Sequence, residues 1–369
     1  MPAAHESLVD REDLRHKIDA RLAHVLGNQS RILAEISVDA APLVDAWGRM
    51  LRGGKRLRAA FCYWSWRSHG AAADSPELAN IIGVGAALEL FQAAALFHDD
   101  VMDKSDTRRG AATAHRSFAQ HHLDSGWPGD AEQFGLSTAI LLGDLSLISS
   151  EDEFLGAVTA LPAERSQPAR EIFTRMRTEV TVGQYLDVHA QMQPWDGDFV
   201  GDERRAREII RSKTARYSVE CPILLGATLA GATDAQLSAC SAFGLPLGEA
   251  FQLRDDLLGV FGDPSTTGKP AGDDLREGKR TLLMIRTMRT LDPAARVEVA
   301  SALGRPDLSA SEVAQVQEVV RASGAVEEIE ELITSLSAQA FEALDAARLP
   351  QPVSDTLVSL ARAAVERHA

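Results

Sequence analysis

The run from Ile81 to Phe97 is the most apolar in the chain, interrupted only by Glu89 and Gln92 and closed by His98-Asp99-Asp100. It is shorter than the ~20 residues a transmembrane helix needs and carries two polar side chains, so it reads as a helix buried in protein, beginning near Ile81. Apolar residues recur at three- and four-residue steps almost everywhere else, as at Ile329, Leu332, Ile333, Leu336, Phe341 and Leu344. Alternating runs bounded by hairpin turns are scarce. The sequence therefore predicts an all-α fold.

Turn-forming clusters fall at Arg67–Pro76, Leu123–Glu132, Leu161–Gln167, Gln193–Gly201, Gly262–Gly272 and Gly304–Ser311, with no long flexible linker between them. A length of 369 residues suits roughly two domains by the usual prior of about 150 each. The missing linker instead favours one helical domain over 1–369, with a motif-bearing core at about 50–285 and C-terminal helices at about 290–369. No repeat of 20 to 50 residues and no low-complexity tract is found. With 45% hydrophobic and 25% charged residues, the chain matches a soluble globule and neither a disordered nor a polytopic membrane protein.

Charge narrows the partners. With 38 basic and 53 acidic residues the formal net charge is −15, which argues against bulk binding to nucleic acid or an anionic membrane. Any anionic ligand must be held locally. Three cysteines, Cys62, Cys221 and Cys240, lie far apart with no CxxC spacing, so neither a disulfide framework nor a thiolate zinc site is indicated. The charged N-terminal stretch lacks the apolar core of a signal peptide, and a reducing cytoplasmic location is expected.

Asp99-Asp100-Val101-Met102-Asp103 ends the apolar helix. Asp99 and Asp103 are four apart and share one helix face, where their like charges repel unless a cation sits between them. Hard oxygen ligands at this spacing suit Mg²⁺, which takes one or two carboxylates and completes its shell with water and phosphate oxygens. A second acidic pair, Asp255-Asp256, again follows an apolar stretch, and two such helix ends read as two jaws of one metal site. Basic residues stand beside both: Arg108-Arg109-Gly110 after the first, and Lys269, Lys279 and Arg280 after the second. In an acidic protein this pattern fits Mg²⁺ clamping a diphosphate whose outer oxygens meet Arg and Lys; salt-bridged loops are the plainer alternative. Upstream, Gly53-Gly54-Lys55-Arg56-Leu57-Arg58 is a glycine turn entering a helix, with Lys55 and Arg58 placed to share a face; a basic surface turn is the plainer reading there.

Taken in order, GGKRLR, HDDVMDKSDTRRG, GQYLD, SKT, FQLRDD and GKPAGDDLREGKRT resemble the trans-isoprenyl diphosphate synthases, the polyprenyl synthetase family, over about Gly53 to Thr281. The chain is most similar to the actinobacterial geranylgeranyl diphosphate synthases. The resemblance implies an all-α homodimer of the isoprenoid synthase type, with a central cavity and both aspartate-rich motifs facing its mouth. Metal ligands would be Asp99, Asp100, Asp103, Asp255 and Asp256, holding two or three Mg²⁺ ions. The resemblance assigns Arg108, Lys213, Thr214, Gln252 and Lys269 to the allylic diphosphate. Lys55, Arg58, Gln92 and Arg109 fall to isopentenyl diphosphate, and Gln184 and Asp187 to support. Its catalytic set is Asp99, Asp103, Arg108, Lys213, Thr214, Gln252, Asp255 and Lys269. One departure stands out: DDLLG places Gly259 where many members carry a third aspartate, which is expected to weaken second-site metal binding at most.

The implied reaction is head-to-tail trans condensation of isopentenyl diphosphate with dimethylallyl, geranyl or farnesyl diphosphate. Product length is read from the face four, five, eight and eleven residues before Asp99, namely Ala95, Ala94, Phe91 and Leu88. Small residues nearest the metals predict elongation past C15 and a first obstacle at Phe91, giving the C20 product; C15 or longer products are the alternatives. A metal phosphohydrolase built on His98-Asp99 lacks a supporting histidine pattern, since His69, His115, His121, His122 and His189 form none. A non-catalytic regulatory subunit is disfavoured by intact aspartates in both motifs.

Overall fold

The structure is a computed structural model that describes residues 11–263, 272–351 and 353–365. As the periodicity predicts, the fold is all-α: among the described residues, strand is confined to β1 (Thr107–Arg108) and β2 (Ala111–Ala112). The chain gathers into two compact units. Of the described residues, unit 1 takes those up to Ile172 with Pro222–Leu237 and Leu349–Leu360, and unit 2 takes the rest.

Unit 1 is built around α4 (Leu78–Met102), against which α1 (Leu14–Ile36), α2 (Ala41–Leu51), α3 (Leu57–Ser68) and α6 (Ala131–Val158) pack; α5 (Ala114–Asp124) lies along α6. Every residue from Ile81 to Phe91 is buried, the signature of a helix apolar on all sides. By length as well as composition α4 could cross a membrane, so the shortness expected of its apolar run does not hold, because the helix begins at Leu78 and runs on to Met102; it is nevertheless buried in protein, as the sequence predicts. Hydroxyls on α6 occupy spare acceptor capacity of its backbone: Ser146 Oγ donates to Leu90 O at 2.8 Å and Ser150 Oγ to Ala87 O at 2.7 Å. Trp47 Nε1 in turn donates to Ser146 Oγ at 3.0 Å, tying α2 to the same contact.

In unit 2, residues from Phe173 onward continue α7 (Ala163–Gln191), followed by α8 (Phe199–Ile209) and a π-helical segment, Ile210–Glu220. After α9 (Cys221–Leu229) of unit 1, α10 (Asp234–Phe261) enters unit 2. Then come α11 (Asp273–Glu277), α12 (Leu282–Thr290), α13 (Pro293–Ala302), α14 (Ala310–Ala322) and α15 (Ala325–Ala346); α16 (Val353–Val365) ends the described chain. The spacing read in α15 is realised, with Ile329, Ile333, Leu336 and Leu344 buried. A capping box starts α14: Ser309 receives the Glu312 N–H while Glu312 receives the Ser309 N–H.

One boundary expectation needs correction and another is not tested. The cluster Leu161–Gln167 is mostly helix, because α7 begins at Ala163 and accommodates Pro168 within its early turns. The cluster Gly262–Gly272 falls largely on 264–271, outside the described residues. The three cysteines are buried free thiols, and burial pushes Cys62 and Cys221 well up from the usual thiol range.

Candidate active site

The first aspartate motif occupies the last turn of α4. The helix closes with the Ser105 N–H on Asp100 O at 3.0 Å and the Lys104 N–H on Val101 O at 3.3 Å, with Lys104 left-handed at φ 56°. This paired closure usually recruits glycine; a lysine there stores backbone strain beside the aspartates. The chain then reverses through a two-residue hairpin whose central residues, Arg109 and Gly110, have φ 53° and 75°. Positive φ at both positions matches the strand twist, so the hairpin fixes where Arg108 points. Arg108 Nε donates to Asp100 Oδ1 at 2.8 Å, and its Nη2 lies 3.5 Å from Asp99 Oδ2. Asp100 is fully buried, while Asp99 and Asp103 are half-buried. The motif thus divides: Asp100 is sealed behind Arg108, and Asp99 and Asp103 are the more accessible carboxylates.

A basic cluster lies in the same unit. Lys55 is exposed and precedes α3, and Arg58 is half-buried in its first turn, so the two do not share a helix face as expected from their spacing. The helix starts later than the glycine turn suggests because Arg56, left-handed at φ 54°, stands at its N-cap. Arg56 is buried, with Nε 2.8 Å from Asp19 Oδ1 and Nη1 3.2 Å from Glu89 Oε2. It is a clamp between α1, α3 and α4 that nothing in GGKRLR distinguishes from its neighbours. Arg109 Nη1 reaches the carbonyls of Arg52 at 2.9 Å and Met50 at 3.2 Å. Loss of hydration and the charges of Arg56, Arg108 and Arg58 push its pKa down, opposed by Glu89. Such convergence of guanidinium groups is an electrostatic demand for an anion. Gln92 is half-buried on α4.

In unit 2 the sequence SKT lies in the π segment, a widening of the helix common at functional sites. Its breadth is admitted by glycines on both neighbours. A Cβ on Gly183 of α7 would fall 2.5 Å from Lys213 N, and one on Gly248 of α10 would fall 2.5 Å from Ala215 O. Lys213 Nζ donates to Asp187 Oδ2 at 2.6 Å, uniting GQYLD with SKT. Thr214 and Gln184 are half-buried.

The second aspartate motif lies within α10, which continues past it to Phe261, and so is not a helix end as expected. Asp255 is half-buried and Asp256 buried, and Gln252 Nε2 donates to Asp256 Oδ1 at 2.7 Å. Burial first, then Asp274 and Asp255, push the Asp256 carboxyl up to about 8, against the Gln252 hydrogen bond and Lys279. Lys279 Nζ lies 3.7 Å from Asp274 Oδ1 and also pairs with Glu277. Arg280 is structural: it is buried, its guanidinium 4.0 Å from the Trp195 ring centroid and 3.6 Å from Asp202 Oδ1. Lys269 lies outside the described residues.

Leu88, Phe91 and Ala94 are buried on α4, and Ala95 is half-buried. His98 turns to α6, with Nε2 3.1 Å from Ile140 O and 3.4 Å from Asp144 Oδ1. An open cavity of about 420 Å³ lies elsewhere in unit 1, lined by Trp66, His69, Asp74, Glu77 and Arg165; none of the motif residues borders it. Among the described residues no three His, Cys, Asp or Glu side chains form a ready-made metal cage. The carboxylates of each motif fit Mg²⁺ in another way, since that ion is held by one or two carboxylates plus water and phosphate oxygens.

An all-α fold carrying two aspartate motifs and separate cationic positions defines an isoprenoid synthase, a trans-prenyltransferase. The sequence pattern of the polyprenyl synthetase family matches residues 42–320, and the chain belongs to that family. It is 32% identical to the geranylgeranyl diphosphate synthase of Sulfolobus acidocaldarius over 79% of this chain and 80% of that one. It is 34% identical to the geranylgeranyl diphosphate synthase of Mycobacterium tuberculosis over 73% of this chain and 69% of that one. Among solved structures, geranylgeranyl pyrophosphate synthase from Corynebacterium glutamicum, complexed with isoprenyl diphosphate and magnesium, superposes with a TM-score of 0.89. Its identity is 37%, covering 95% of this chain and 98% of that one.

Proposed function

We propose that this prenyltransferase condenses isopentenyl diphosphate with allylic diphosphates, head-to-tail and trans, and releases geranylgeranyl diphosphate, C20, as a cytoplasmic homodimer. The observation that carries this reading is the presence in one unit of Arg58, Arg108 and Arg109 and of a helix end bearing Asp99 and Asp103, with Arg109 depressed first by burial and then by Arg56, Arg108 and Arg58. Asp99, Asp103, Asp255 and Asp256 would hold two or three Mg²⁺ ions, which when bound would supply positive charge to the allylic diphosphate.

The chain's own residues do the rest. Lys213, held by Asp187, meets the charge that develops on the leaving diphosphate, and Gln252 and Thr214 lie at the allylic end. Lys55, Arg58, Arg109 and Gln92 anchor isopentenyl diphosphate so that its double bond attacks the allylic carbon. No nucleophilic side chain is needed, and the departing diphosphate accepts the proton lost after bond formation. The apolar wall of α4 keeps water from the cation. The test is to incubate purified protein with Mg²⁺, isopentenyl diphosphate and each allylic primer, then resolve products by chain length. A C20 product is expected; no condensation with any primer refutes the assignment.

A further inference from the structure

The glycine turn before α3 is held by a helix that precedes it in the chain. The family pattern begins at residue 42 and leaves α1 out, yet two side chains of α1 reach this turn. Arg15 Nη1 donates to Gly54 O at 2.9 Å, and Asp19 Oδ1 receives Arg56 Nε at 2.8 Å. Arg15 and Asp19 are four residues apart and so lie on one helix face. The helix is itself a fixed post: Leu14, Ile18 and Leu22 are buried, and Glu153 of α6 grips Arg21 at Nε, 2.6 Å away, and at Nη2, 3.0 Å away.

Between the two held points stands Lys55, which is exposed. Gly53 and Arg56 on either side of the Gly54-Lys55 pair are left-handed, at φ 75° and 54°. For arginine that conformation is strained and persists only where the surroundings enforce it. Besides Asp19, Arg56 meets Glu89 Oε2 at 3.2 Å and the carbonyl of Leu51. Gly54 makes room for this guanidinium, since a Cβ there would fall 2.7 Å from Arg56 Nη1. The turn is therefore strained, and it is clamped on both sides of Lys55.

We infer that Arg15 and Asp19 of α1 are positioning residues for isopentenyl diphosphate, fixing the backbone that presents the Lys55 ammonium. The inference rests on the proposed assignment of Lys55 to that substrate. A lysine on a loosened turn loses the motion of the turn as well as its own when a diphosphate binds, and that ordering weakens affinity. Holding the turn from α1 removes the first part of the loss before substrate arrives. Both residues act through the turn, so their effect falls on one substrate and not on the primer.

The test is steady-state kinetics of the full chain with Mg²⁺, varying isopentenyl diphosphate and then the primer the wild type uses best, with thermal unfolding as the folding control. Arg15→Ala and Asp19→Ala are each expected to raise the KM for isopentenyl diphosphate about fivefold, the worth of one hydrogen bond, and to move the primer KM by less than about twofold. Asp19 is exposed, so its variant carries the test even where Arg15→Ala unfolds early. Arg15→Lys keeps a donor for Gly54 O and is expected to recover most of the loss. In a Lys55→Ala background Arg15→Ala is expected to add almost nothing, because the group it positions is gone, whereas a merely structural role adds its full effect there. A wild-type KM for isopentenyl diphosphate in either alanine variant, equal rises in both KM values, or an undiminished Arg15→Ala effect beside Lys55→Ala overturns the inference. If the wild-type chain condenses no primer, the proposed function fails with it; if the wild type condenses and the variants match it, this inference alone fails.

Discussion

The two aspartate motifs look alike in sequence and are managed by opposite electrostatics. In the first, a guanidinium is built in: Arg108 grips the buried Asp100 and reaches Asp99, and a strained helix closure and hairpin hold it there. In the second, burial first, then the charges of Asp274 and Asp255, push Asp256 up to about 8, so near neutrality it largely keeps its proton. A bound cation would reverse that shift. The first motif is therefore preorganised by the protein, whereas the second is left for a cation to complete.

The comparison breaks most visibly at the accessible acids of the first motif. Asp99→Ala or Asp103→Ala is expected to lower turnover by about 10³ or more, because several kcal/mol of leaving-group stabilisation pass through the metal they hold. Apo stability should hold or rise, since one of two like charges is removed. Activity persisting in EDTA, or in either variant at the wild-type rate, breaks the metal-clamp reading of this half.

Stability separates the motifs next. Asp100→Asn leaves Arg108 facing a neutral amide in a buried site and is expected to cost about 3 kcal/mol, read as a lower midpoint in urea. Asp256→Asn replaces an acid that is mostly neutral in the apo chain and should cost far less. The sign with pH follows from linkage: Asp256 sits above its ordinary 3.8, so its contribution to stability is complete below that value and is lost as pH rises through about 8. The Asn variant should flatten that slope. Equal losses in the two variants would erase the distinction.

The motifs, the all-α class and the buried apolar helix were legible because they rest on residue type and spacing alone. Ile81 to Phe91 could only be a core helix, and Asp99 with Asp103 could only share a face. What stayed hidden depends on contacts between distant segments. Nothing in SKT announces that the helix widens there, because the cause lies in Gly183 and Gly248 on other helices. Arg56 and Arg58 read alike in GGKRLR, yet one is a buried clamp on Asp19 and Glu89. Arg280 read as one of the cations beside the second motif until Trp195 and Asp202 claimed it.

Substrate affinities sharpen the contrast between units at a smaller scale. Arg58→Ala in unit 1 is expected to raise the KM for isopentenyl diphosphate roughly 10- to 100-fold more than that for the primer, the worth of a charged contact to phosphate of about 1.5–3 kcal/mol. Lys213→Ala in unit 2 should act mainly on the allylic step, and Asp187→Asn should follow it in weaker form because Asp187 holds the ammonium. Equal shifts of both KM values in the two variants would refute the division of substrates between these residues.

The smallest effect expected is one isoprene unit of product, and it belongs to α4 and not to α10. A growing chain is expected to run along the face that carries Ala95, Ala94, Phe91 and Leu88, of which Leu88, Phe91 and Ala94 are buried. Small side chains at Ala94 and Ala95 leave room near the aspartates, and Phe91 is the first large residue beyond them. At ~1.5 Å per residue, moving the floor from four or five positions before Asp99 to eight adds about 4.5–6 Å, near the length of one isoprene unit. Ala94→Phe should therefore shorten products toward C15, and Phe91→Ala should lengthen them beyond C20, with product length read chromatographically against standards. Because Phe91 is buried, its truncation also leaves a cavity costing about 3–5 kcal/mol, so the assay belongs well below the variant's melting temperature. The two substitutions move the product in opposite directions while sharing a helix, which separates a chain-length floor from general damage to α4. Unchanged lengths in both would discard Phe91 as the floor and leave the condensation chemistry untouched.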